Sequence, residues 1–83
     1  SDEKLPYAAQ VGSGSIINAP LGGNIFKVIA QEGQSIDHDA TVLILEAMKM
    51  ETEIKSPESG VVTKIFVKSG DSVKPGDPLF EIA

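Results

Sequence analysis

From Ile17 onward, apolar residues fall in short runs separated by Gly, Pro, Asp and Ser, the signature of short strands joined by tight turns. Thr41-Val42-Leu43-Ile44-Leu45 reads as a buried strand, and Thr52-Glu53-Ile54-Lys55 alternates polar and apolar as a half-buried strand does. The pattern then recurs at an offset of 37 residues. Pro20 matches Pro57, Gly23 matches Gly60, Lys27 matches Lys64, Gly33 matches Gly70 and Ser35 matches Ser72. The apolar positions follow: Ile17 with Ile54, Ile25 with Val62, Val28 with Ile65, Ile36 with Val73, Leu43 with Phe80 and Leu45 with Ile82. The chain is therefore two copies of one four-strand unit. Each copy runs as a short strand, a turn at Pro and Gly, a longer strand, a turn at Gly33 or Gly70, a very short strand, a further turn and a last strand. Neither copy can cover its own apolar face. The predicted fold is all-β: an antiparallel two-sheet sandwich, or flattened barrel, of two four-strand halves with approximate two-fold symmetry.

Each copy clarifies the other. The run from Val42 to Leu45 hides which face is inward, but the matching Leu79-Phe80-Glu81-Ile82 places Glu81 opposite Ile44 in the alignment. Leu43, Leu45, Phe80 and Ile82 are thus expected in the core, with Ile44 on the outer face. In the longer strands the apolar residues slip by one position, which predicts a bulge or bend at Phe26-Lys27 and Thr63-Lys64, where the strand is expected to change sheets. Gly33 and Gly70 are expected at positive φ, Gly60 is a further candidate for it, and Pro20 and Pro57 suit strand ends. Residues 1–15 show no sustained period and read as a flexible linker leading to a domain at 16–83. A coil of that length spans on the order of 20 Å. A strand around Leu5 to Ala8 is the competing reading.

The two strands around Glu46-Ala47-Met48-Lys49-Met50-Glu51 are close enough to demand a tight hairpin. Favoured two-residue turns need positive φ and select Gly, Asn or Asp, yet only Met48, Lys49 and Met50 are on offer. A local rule broken at an exposed tip is where function is expected. The bland alternative is a solvated lysine between two methionines packed on the sheet. The repeat argues against it, because Lys49 falls where the two copies meet, held out on a two-stranded finger and expected to lie far from the linker.

Composition narrows the possibilities. A chain of 83 residues is one small domain, and with 41% hydrophobic but only 5% aromatic residues and no Trp its core should be aliphatic. Without Cys there is no disulfide, no thiolate chemistry and no Cys-based zinc site. A net charge of −5, with no Arg, argues against nucleic acid as partner. No apolar run approaches the roughly 18 residues of a membrane span, so no direct membrane insertion is expected. His38 is the single His and has no recognisable ligand spacing around it, so it reads as a solvated turn residue. Ser13 and Ser35 lack partners for nucleophilic chemistry. The chain begins Ser1-Asp2-Glu3 and reads as a processed or excised piece of something longer, with Ala83 near a natural end.

Ala47-Met48-Lys49-Met50, taken with Ala19-Pro20-Leu21-Gly22-Gly23, Glu32-Gly33-Gln34-Ser35-Ile36 and Ser59-Gly60-Val61-Val62, resembles the biotinyl carrier domain of biotin-dependent carboxylases, decarboxylases and transcarboxylases over about residues 16–83. The resemblance implies the barrel-sandwich fold and covalent biotin on Lys49, attached as an amide by biotin protein ligase. It makes Met48 and Met50, with Ala47, Glu46 and Glu51, recognition and packing residues for that ligase. An ordinary lysine amine, with reference pKa near 10.4, is protonated at neutral pH and is no nucleophile unaided. The chain offers no base, so the ligase must activate both the amine and, as a mixed anhydride with AMP, the biotin carboxyl. Lys49 would then be a substrate residue of a carrier with no catalytic residues of its own. Implied partners are the ligase and the carboxyltransferase and carboxylase or decarboxylase domains of a parent enzyme. The isolated domain is expected to be monomeric and cytoplasmic, with a parent complex that could associate with a membrane. Residues 25–33 and 62–70 have equal length, so the first half lacks the protruding loop of the bacterial acetyl-CoA carboxylase carrier. The wording is most similar to the carriers of oxaloacetate decarboxylase α subunits and of transcarboxylase. The alternative is a lipoyl domain, whose hairpins usually read Asp-Lys-Ala. An unmodified structural β-module is the second rival.

Overall fold

The protein is described by a computed structural model covering residues 14–83. It contains eight strands: β1 (Ser15–Asn18), β2 (Gly23–Val28), β3 (Ser35–Ile36), β4 (Thr41–Ala47), β5 (Met50–Lys55), β6 (Gly60–Ile65), β7 (Ser72–Val73) and β8 (Pro78–Ile82). Two four-stranded antiparallel sheets have the orders β1-β8-β6-β3 and β5-β4-β2-β7. Advancing each strand by four converts one order into the other, so the repeat read from the sequence is a repeat of architecture. Among the described residues the edge strands of one sheet do not pair with those of the other, so the sandwich alternative holds and the barrel is not closed. Residues 1–13, which hold most of the expected linker and the competing strand at Leu5 to Ala8, lie outside the described residues. Ser15 itself pairs with Ile82.

The halves interlock. Each sheet takes two strands from each copy, and matched backbone hydrogen bonds join them. Ile25 N–H donates to Asp71 O at 2.7 Å as Val62 N–H donates to Gln34 O at 2.9 Å, and Gly70 N–H donates to Ile25 O at 2.8 Å as Gly33 N–H donates to Val62 O at 2.7 Å. Between the sheets lies an aliphatic core with one aromatic ring: Ile25, Leu43, Leu45, Val62, Phe80 and Ile82 are all but inaccessible. Ile44 is half-buried on the outer face, as its alignment with Glu81 requires. Val42 and Leu79 are also fully buried. For Val42, a register shift between Thr41 and Leu43 breaks the alternation and lets two successive residues face inward.

Bulges occur where they are expected, between Ile25 and Lys27 and between Val62 and Lys64. The strands do not change sheets there. β2 stays in one sheet through its bulge, Ala30 N–H still donates to Val42 O of β4, and the chain reaches the other sheet at Gly33, whose N–H donates to Val62 O of β6. Gly33 and Gly70 have φ of 90° and 94°. A second symmetric pair appears at Asp39, φ 70°, and Gly76, φ 91°, which lie 37 residues apart. Gly60 is not at positive φ. Its need is for space, because a Cβ there would sit 2.8 Å from Ala83 O and 3.0 Å from Ile82 Cγ2.

Candidate functional site

Beyond the shift between Thr41 and Leu43, the β4–β5 hairpin is in register from Leu43↔Ile54 to Ala47↔Met50, which leaves Met48 and Lys49 as a two-residue turn. Both have positive φ, 52° and 65°. That is the sign pattern of a type I′ turn, whose twist matches the strands it joins and whose sequence is ordinarily Asn-Gly. Met50, the third candidate for positive φ, is the first residue of β5. Two left-handed residues with full side chains cost about 1–3 kcal/mol each, and the two well-paired strands below hold them there. Asp39, in the turn before β4, adopts the same conformation with a short polar side chain that tolerates it better.

The side chains around the turn are sorted by the pleat. Leu45 and Ala47 face inward on β4, and Thr52 and Ile54 do so on β5. Met50 lies opposite Ala47 but past the end of the covered surface, and it is 68% exposed. Met48 is 91% exposed. The methionines therefore do not pack on the sheet as the bland reading requires; they are two thioether side chains offered to solvent, one on each side of Lys49. Such flexible, polarizable groups adapt to a partner surface. Lys49 is exposed and, among the described residues, has no salt bridge or side-chain hydrogen bond. Glu46 and Glu51 face each other across the strands one step below, both exposed, with Glu53 further down the same face. Like charges directly opposite disfavour the pairing slightly and give the finger an acidic outer face. Of the residues expected at the site, Met48, Lys49 and Met50 form the accessible tip, Glu46 and Glu51 its charged base, and Ala47, 8% exposed, the inward anchor.

The base of the hairpin contains a residue whose role the sequence did not disclose. Gly23 begins β2 beside the Glu46-Ala47 backbone, and a Cβ there would collide with Glu46 O and come within 3.2 Å of Ala47 Cβ. The repeat singles out Gly23 through its match with Gly60, but the matched neighbours, Glu46-Ala47 at one and Ile82-Ala83 at the other, emerge only from strand pairing. His38 carries a 3.3 Å contact to Asp39 in an exposed turn, and no group of three metal-ligating residues occurs among the described residues. Nor is any helix among them long and apolar enough to cross a membrane. A 310 Å³ depression beside β7, lined by Phe66, Asp71, Val73 and Pro78, does not include Lys49.

The family described as biotin-requiring enzymes matches residues 9–82. The biotin carboxyl carrier protein of Streptococcus mutans is 41% identical over 76 residues, which are 92% of this chain and 58% of that protein. The biotin carboxyl carrier protein of acetyl-CoA carboxylase from Solanum lycopersicum is 41% identical over 64 residues, covering 77% of this chain and 91% of that one. Among solved structures, the urea carboxylase of Kluyveromyces lactis superposes with a TM-score of 0.82 at 30% identity, spanning all of this chain and 7% of that one. The lipoyl domain of the 2-oxoglutarate dehydrogenase complex from Azotobacter vinelandii superposes at 0.73 with 23% identity, over 82% of this chain and 94% of that domain, a likeness of fold alone.

Proposed function

The chain belongs to the family of biotin-requiring enzymes, and we propose that it is a biotin carboxyl carrier domain that holds biotin in amide linkage on Lys49. One observation carries the site assignment: Lys49 is the solvent-facing second residue of a rigid turn, held at φ 65° against its own preference and flanked by two exposed methionines. The residues present fit the group, since a primary amine at a protruding tip can enter a ligase active site without disturbing the sandwich. When bound, biotin supplies a ureido nitrogen that takes up and gives back a carboxyl group. The chain's own contribution is presentation. The paired strands hold the backbone of the turn from which Lys49 projects, Met48 and Met50 provide apolar contact for a ligase, and Glu46 and Glu51 offer it carboxylates. In this reading the domain is a carrier without an active site of its own, as relatives named carrier proteins support.

The partners in this proposal are biotin protein ligase and the catalytic domains of a larger parent enzyme, the domain itself being a monomer. The chain spans 58% of the S. mutans relative and 7% of the yeast urea carboxylase, so the parent's reaction belongs to the proposal. At the finer level we assign the parent to the oxaloacetate decarboxylase or transcarboxylase type, on the absence of a protruding loop in residues 25–33 and on the Glu-Ala-Met-Lys-Met-Glu-Thr-Glu wording. The named carrier relatives do not single out that type. A cytoplasmic setting, where ligase and ATP are available, completes the reading. The test is labelling by a biotin ligase with biotin and ATP: Lys49→Ala should stay folded by circular dichroism and take up no biotin. Undiminished labelling of that variant would move the site elsewhere.

A further inference from the structure

We propose that Gly23 is a positioning residue for the modification of Lys49, a role that rests on the assignment of Lys49 as the attachment site. The three atoms nearest to a Cβ at Gly23 belong to Glu46 and Ala47, which lead into the turn. Gly23 begins β2, pairs with Val73 of β7 on one side, and on the other lies against Glu46 and Ala47, the last residues of β4 before the turn. The pairing of β2 with β4 ends at Asn24↔Glu46, so among the described residues Ala47 has its one strand partner in Met50 of β5. A methyl group at residue 23 would meet the backbone carbonyl of Glu46, its carbon at 3.1 Å and the Cβ of Ala47 at 3.2 Å. The nearest obstacle is backbone, which cannot yield as a long side chain would. The bare Cα of Gly23 therefore sets how closely β2 seats against the base of the finger, and with it the angle at which Met48 and Lys49 leave the sandwich.

The repeat supplies an internal control. Gly60, the matching residue of β6, stands in the same relation to Ile82 and Ala83, with a hypothetical Cβ at 2.8 Å from Ala83 O and 3.0 Å from Ile82 Cγ2. Both glycines permit the same close approach of strands, but only Gly23 abuts the hairpin. A cost to folding alone should be shared by Gly23→Ala and Gly60→Ala. A cost to presentation should appear only in the first. Gly22→Ala is a second control, because its Cβ would meet Pro75 Cδ and Val73 O at an ordinary 3.4 Å.

The experiment measures kcat and KM for biotin ligase on the whole chain and on each variant, normalised to folded fraction, beside backbone amide spectra. The expected result is a fall of about tenfold or more in ligase kcat/KM for Gly23→Ala relative to Gly60→Ala, since displacement of a reacting group by about 1 Å can cost as much as a hundredfold. Amide shifts at residues 46–51 should move in Gly23→Ala and stay in place in Gly60→Ala and Gly22→Ala. Equal kcat/KM for the two symmetric variants, or unmoved hairpin shifts, would overturn the proposal. Where Gly23→Ala folds poorly, a cycle with Ala47→Gly decides. Removing the Ala47 methyl relieves part of the crowding, so the added methyl should cost less ligase efficiency in that background, and additive losses would overturn the proposal. The spectra need no ligase, and failure of the unaltered chain to be labelled would count against the Lys49 assignment instead.

Discussion

At the scale of single residues, the molecule departs from its own preferences in one conspicuous place. Met48 and Lys49 occupy conformations that glycine and asparagine fill more comfortably, and neither side chain is packed to offset the strain. Replacing the pair by Asn-Gly should therefore stabilise the fold by about 1–2 kcal/mol in urea denaturation, from relief of two left-handed conformations less the added freedom of Gly in the unfolded chain. The same change removes the attachment lysine. Stability that stays level or falls would show that the turn is not strained in the way its φ values indicate. The lysine and its flanking methionines were legible in the sequence because the required turn residues were missing from a place that demanded them. Gly23 was legible only as half of a matched pair, since its purpose depends on which strand lies next to it, and pairing between distant strands leaves no local mark in the chain.

At the scale of elements, the turns show how one architecture accepts two chemistries. Gln31 N–H donates to Gln34 Oε1 at 3.0 Å in the first half, and Lys68 N–H donates to Asp71 Oδ2 at 2.9 Å at the matching place in the second. Only the second titrates. The backbone N–H of Lys68, followed by its ammonium group 3.1 Å from Asp71 Oδ1, holds the Asp71 carboxyl below its ordinary 3.8. A carboxyl with a depressed folded pKa contributes stability that is present above the unfolded value and lost as pH falls through the folded one. Asp71→Gln, which copies the first half, should therefore flatten the loss of stability in acid below about pH 4, and a Tm profile as steep as the parent's would contradict that source. The strand bulges and the Gly33 and Gly70 turns were readable from slipped alternation and from matched glycines. The path of β2 was not. A bulge and a change of sheet leave the same one-residue slip, and only the hydrogen-bond partners of β2 tell them apart.

At the scale of the molecule, the exchange of strands is what makes an 83-residue chain fold around so little aromatic surface. Each sheet is completed by strands from the other half, so neither half possesses a sheet or a core alone. Fragments 1–48 and 49–83 should each lack a cooperative thermal transition and should regain one when mixed, and a folded fragment on its own would contradict the interlock. The repeat announced two four-strand halves that cover each other's apolar faces, yet it left open the exchange of strands and the choice between sandwich and barrel, because edge pairing depends on curvature that a pattern of apolar residues does not encode. Interlock also has a functional consequence. β1 pairs with β8, Ser15 lying opposite Ile82, as β5 pairs with β4, and among the described residues only the β4–β5 pairing joins consecutive strands by a turn. That turn makes the finger, and the finger carries Lys49.

The most direct test of the account is the mass of the intact chain, followed by peptide mapping, after separate exposure to a biotin ligase and a lipoate ligase, each shown to be active on a control substrate. A carrier that presents Lys49 to a biotin ligase should gain one biotinyl group, on the peptide containing Met48-Lys49-Met50, and no lipoyl group. An unmodified mass with the biotin ligase, or a lipoyl group in its place, would contradict it.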